Sequence, residues 1–161
     1  MKKQILLESM IALLIIFFLY TSVSKLIDMH KFRLAMMHQP FPMWMNNLLA
    51  KTLPITELII ALGLGFTKTR TISLYAYAVL MLVFTTYTAL IVLHFYENTP
   101  CGCGGIISKL SWEGHFLINI SFLLLSLLAI LFNNSSPNRT SNFAHRTSLY
   151  NQGVSRKPAT E

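Results

Sequence analysis

Charge and cysteine are both scarce in this chain. Of its 161 residues only 12% are charged, six of them acidic, and there are two cysteines. Two cysteines cannot form the disulfide framework that staples a small secreted domain. So few charges beside 53% hydrophobic residues, with a mean hydropathy of +0.53, exclude an ordinary soluble domain of this size. The composition is that of an integral membrane protein. Thirteen Lys and Arg leave a net charge of +7, which in a membrane protein marks cytoplasmic loops and tails rather than a nucleic-acid surface. No internal repeat is present.

Long uncharged runs divide the chain into four spans. Residues 71–96 lie between Arg70 and Glu97 without a formal charge, and in the span at about 113–132 the stretch from Gly114 to Phe132 carries only His115 as a possible charge. Each is long enough as a helix to cross a hydrocarbon core of about 30 Å. The amino-terminal run, about 5–24, holds a single acid, Glu8. Its lysine-flanked start and the Ser22-Val23-Ser24 sequence also suit a secretory signal, but its length and the three spans after it favour a membrane helix. The fourth run, Leu53 to Phe66, is short and contains Glu57; extended back to Asn47 it crosses, with a kink expected at Pro54 and Lys51 snorkelling outward. The fold class is therefore an all-α integral membrane protein, a four-helix transmembrane bundle with both termini cytoplasmic. That orientation places eight basic residues inside (Lys2, Lys3, Lys68, Arg70, Arg139, Arg146, Arg156, Lys157) against Lys25, Lys31, Arg33, Lys51 and Lys109 outside. Residues 133–161, rich in Asn, Ser and Thr, read as a flexible basic cytoplasmic tail after a membrane domain of residues 1–132.

The most specific local feature is Thr99-Pro100-Cys101-Gly102-Cys103-Gly104-Gly105. Thiols one residue apart close only a small, distorted ring, so their disulfide is easily exchanged. On the outward face such a pair sits where a dithiol–disulfide couple finds partners. Two other readings stand beside redox exchange. Two thiolates suit Cu(I) or Zn(II) if joined by His94 or His115 and by soft ligands among Met29, His30, Met36, Met37, His38, Met43 and Met45. The turn can also be inert.

The second constellation is the ionisable set near the membrane: Glu8, Lys25, Asp28, Glu57, His94 and His115. An acid inside a span is expensive and faces a bundle interior or a wet cavity, so Glu57 is either functional or paired structurally with Lys25 or Lys51. Glu8 is expected to complement its own helix start or Lys2 and Lys3, and Lys25 with Asp28 to form a local pair. Asn119, Tyr75, Tyr77, Tyr87, Thr85, Thr86 and Thr88 are candidates for hydrogen bonds between helices. Phe41, Trp44, Phe95, Tyr96 and Trp112 match an interfacial aromatic belt rather than a quinone box.

Taken in order, Ser24-Lys25-Leu26-Ile27-Asp28 with Phe32, Pro54-x-x-Glu57-Leu58, Phe84-x-x-Tyr87, the Cys-Gly-Cys-Gly-Gly turn, and Trp112, His115 and Asn119 resemble the methylamine-utilisation MauE family, itself similar to DoxX-like membrane proteins. The resemblance covers about residues 5–132. It implies a four-helix bundle of the bacterial inner membrane that assists maturation of methylamine dehydrogenase, an exported protein whose small subunit is crowded with disulfides. Carried over, Cys101 and Cys103 are the exchanging pair, with Lys25, Glu57, His115 and Asn119 at matching positions. Quinone-linked thiol oxidases generally use a second cysteine pair and this chain has a single pair, which favours a redox-associated accessory protein over an autonomous enzyme. Its partners are the lipid bilayer and an exported thioredoxin-like protein or disulfide-containing client, with a quinone or another membrane carrier as the further electron partner. The alternative is a Cu(I)/Zn(II) protein using Cys101, Cys103, His94 and His115.

Overall fold

A computed structural model describes residues 2–95 and 111–135. The cysteine turn, Tyr96, Lys109 and the polar tail lie outside the described residues. Within them the chain forms five helices and no strand: α1 (Lys2–Ile27), α2 (Met29–Met37), α3 (Met43–Gly65), α4 (Arg70–Val92) and α5 (Trp112–Asn134). All but α2 are long and apolar enough to cross a membrane. This is the expected four-span bundle, with the short helix α2 added at one end.

Each long helix buries only a stripe. On α1 the stripe is Leu7, Met10, Ile11, Leu14, Phe18, Thr21, Ser22 and Lys25, the three-and-four spacing that keeps side chains on one helical face. The other faces carry large exposed hydrophobics such as Ile5, Ile16, Ile59, Val79 and Leu131, a surface that suits hydrocarbon rather than water. The shared core joins Leu14, Phe18, Leu64, Leu74, Tyr77 and Met81, with Phe18 stacked on Tyr77 at 3.9 Å between centroids.

The helix ends explain where the spans stop. α4 ends at Val92, short of the expected boundary at Tyr96. There the His94 N–H bonds the Ile91 carbonyl and the Phe95 N–H bonds that of Leu90, the Schellman arrangement. It requires a left-handed residue, and His94 takes that place at φ 60° although glycine is the usual occupant. α5 starts at Trp112 because the Ser111 hydroxyl accepts from the Gly114 N–H at 3.3 Å. α3 continues through Pro54 without a break in the helix and begins at Met43, four residues before the expected start, so its first turns reach past the end of α1. There they meet α2, and Phe32, Met36 and Ala50 form a small second core.

The two ends of the bundle differ. At the end carrying the described start and finish of the chain, α3 and α4 meet closely. A side chain at Gly63 would collide with Ser73, and the Thr69 hydroxyl donates to the Gly63 carbonyl at 2.7 Å. Asn133 bonds Thr71 and Asn134 bonds Tyr75, tying α4 to α5 there. At the other end, hereafter the α2 end, residues 38–42 lie between α2 and α3. Gln39 binds the Ala35 carbonyl at 2.9 Å and accepts from the Tyr87 hydroxyl, which links this turn to α4. Asn46 closes the same turn by donating to the Phe41 carbonyl at 3.1 Å.

Candidate functional site: a buried ion pair beside a cavity

Lys25 stands in the last turn of α1, one place along the buried stripe from Ser22, so its stem points into the bundle rather than out to the membrane surface. Glu57 stands one turn past Pro54 on the buried face of α3. The two meet with Lys25 Nζ 2.5 Å from Glu57 Oε1 and 2.8 Å from Oε2, and their side chains are 6% and 1% exposed. Thr21 donates to Glu57 Oε2 at 3.4 Å, and Ser22 donates to the Pro54 carbonyl at 2.7 Å. The ammonium also lies 5.9 Å from the Phe32 ring centroid on α2. A charge held here needs its partner, because neither ion can recover its hydration in a low-dielectric interior.

Of the two partners anticipated for Glu57, Lys25 takes the place and Lys51 is exposed. Two other expectations are overturned. Lys25 does not pair with Asp28; Asp28 instead caps α2 through the Lys31 N–H and pairs with the Lys31 ammonium at 2.6 Å, since Lys25 points inward. The Lys31 side-chain bond, foremost, holds the exposed Asp28 carboxyl below its ordinary value. Nor does Glu8 serve Lys2 and Lys3. It takes a two-pronged bond from Arg70 at the start of α4, at 2.7 and 3.2 Å.

Beside the pair lies a cavity of about 560 Å³, within the range of small-molecule sites. Its lining comes from all five helices and the 38–42 turn. Lys25, Glu57, His115 and Asn119 all reach it, together with Thr21, Phe32, Phe84 and Trp112. Phe41 and Trp112, anticipated as belt residues, both line it, whereas Trp44 and Phe95 are exposed as a belt requires. Gln39, whose sequence setting gives no hint of a role, lines it too.

The remaining expected residues fall as follows. His115 is buried in the first turns of α5, with Nδ1 2.9 Å from the Ser111 carbonyl. A carbonyl only accepts, so Nδ1 is the donor in this contact. Asn119 donates to the Thr88 hydroxyl at 3.5 Å, the expected contact between helices. Thr85 and Thr86 bond carbonyls of their own helix instead. Tyr77 is fully buried and its hydroxyl has no hydrogen-bond partner. Among the described residues no three His, Cys, Asp or Glu side chains cluster as a metal site, and His94 is exposed where His115 is buried. Cys101 and Cys103 fall outside the described residues.

A polytopic helical bundle with a buried ion pair next to a largely apolar cavity is the class of protein that these observations define. The particular family follows from the sequence match. Residues 3–132 match the family of methylamine utilisation protein MauE, and the chain belongs to that family. No curated protein and no solved structure matches it. Membership supports an accessory membrane protein of methylamine utilisation.

Proposed function

We propose that the protein is a membrane-held thiol–disulfide partner of exported proteins, working through Cys101 and Cys103. One observation carries the reading. Phe95 and Ser111, the described residues that flank the segment bearing both cysteines, stand at the α2 end, the end that also holds the buried pair and the cavity. Membership of a methylamine-utilisation family supports an accessory role in the membrane. In the exchange a thiolate attacks one sulfur of a disulfide, forming a mixed disulfide that the neighbouring thiol resolves. Two electrons and two protons pass from the dithiol that becomes oxidised to the disulfide that is reduced. The client is an exported disulfide protein or an exported thioredoxin-like carrier, and the cysteines face the exterior of a bacterial inner membrane.

The test is alkylation of intact cells with a membrane-impermeant thiol mass tag, before and after mild reduction. Tagging of Cys101 and Cys103 only after reduction is the expected result. Immediate tagging would mean outward but reduced thiols and count against the exchange reading, while no tagging under either condition would overturn the outward orientation.

A further inference from the structure

We infer that the cavity at the α2 end is a binding site for a lipophilic quinone, with its ring between the aromatic walls and its carbonyl oxygens toward Lys25 and Asn119. Four observations point to this ligand class. First, the cavity wall continues over Leu82, Val83 and Thr86, which stand on the exposed side of α4, so the mouth opens on the bilayer and admits a molecule dissolved there. Second, the lining holds one cation and one acid, Lys25 and Glu57, already matched to each other, beside the imidazole of His115, and no further Asp, Glu, Lys or Arg among the described residues. A neutral head fits such a site. An anionic one would meet the Glu57 carboxylate, which lines the cavity as Lys25 does.

Third, hydrogen-bond donors remain at the polar side. Lys25 has three N–H groups and directs two bonds at Glu57, and among the described residues the Asn119 amide donates one long bond, to Thr88. A head that accepts hydrogen bonds through its oxygens uses them. Fourth, Phe32, Phe84 and Trp112 offer flat walls on which a planar ring gains contact. The binding argument is independent of the cysteines; only the use of the bound quinone rests on the thiol-exchange reading. In that use the two S–H bonds of the Cys101–Cys103 dithiol break and one S–S bond forms. The two electrons and two protons released reduce the quinone to the quinol.

The test uses the full chain in phospholipid nanodiscs and a benzoquinone bearing a decyl tail. The chain has two tryptophans, so Trp44→Phe leaves Trp112 as the sole reporter, and Trp112→Phe leaves Trp44. Saturable quenching is expected with Trp112 alone and only gradual, partition-driven quenching with Trp44 alone. Decanoic acid in excess should not displace the quinone. Phe84→Leu should weaken binding about threefold to tenfold, the worth of one aromatic stacking contact, and Asn119→Leu provides a second wall variant should the first fold poorly. Quenching that never saturates, or that decanoic acid reverses as well as a second quinone does, would overturn the site. Cys101→Ser with Cys103→Ser should bind as the native chain does while forming no quinol. Saturable binding with no quinol formed by the native chain would remove the exchange reading and leave the site. Thiols that pass the alkylation test without saturable binding would remove the site alone.

Discussion

The two ends of this bundle each hold an ion pair between distant helices, and the pairs are opposites. Lys25–Glu57 is sunk between α1 and α3 beside a cavity, whereas in Arg70–Glu8 the carboxylate side chain is 49% exposed and the helices around it close on a glycine. A pair whose carboxylate solvent or lipid headgroups can reach contributes less, because that ion is satisfied when its partner is lost, even though the Arg70 side chain itself is only 14% exposed. A sunk pair leaves a stranded charge when broken, so it fixes which helices are neighbours even where its net contribution to stability is small. One end is therefore built by packing and the other by electrostatic constraint, and the open volume lies at the constrained end.

The largest test of that contrast is to break the sunk pair. Glu57→Leu or Lys25→Met alone should destabilise the bundle by about 3–5 kcal/mol, and the two together should recover most of the loss. Unfolding in mixed micelles, followed by helical circular dichroism, measures all three variants. A double variant as unstable as the singles would end the argument.

Next comes the packed end. Gly63→Val puts a side chain into Ser73 and should cost about 1–3 kcal/mol in the same measurement, with Ser73→Gly restoring part of it. Smaller and opposite in sign is Tyr77→Phe. It removes a buried hydroxyl that has no partner and keeps the stack on Phe18, so stability should hold or rise by up to about 1 kcal/mol. The smallest effect belongs to Glu8→Gln, about 0–1 kcal/mol, and it should shrink further in high salt. A loss near that of Glu57→Leu would show that the two ends are not different in kind.

How much of this was legible follows from what each feature depends on. Four spans could be read because bilayer crossing is a property of one uninterrupted run, as residues 71–96 show. Glu57 announced itself as an acid within a span, and its partner came down to two candidates. Choosing Lys25 over Lys51 needed the rotation of α1, which Ser22 shares, and Ser22 had been visible only as part of a signal-like sequence. The pairs Glu8–Arg70 and Gln39–Tyr87 join residues 62 and 48 apart and leave no local pattern. α2 escaped because its nine residues, with three basic side chains, are too short and too polar for a hydropathy signal. The early end of α4 rests on a histidine doing the work of a glycine, which no terminator rule anticipates.

The Lys25–Glu57 pair also bears on how the chain is made. A lone acid near the middle of a span raises the free energy of membrane insertion by about 2.5–3.5 kcal/mol, so α3 leaves the translocon at a disadvantage that α1 can relieve. Synthesis delivers α1 first, with its ammonium waiting near the helix end. Biogenesis thus acquires an order: the first helix is a membrane-resident chaperone for the one that carries the carboxylate. A chain lacking α1 should glycosylate an engineered acceptor site after α3 in the pattern of a failed crossing, although α3 itself is intact.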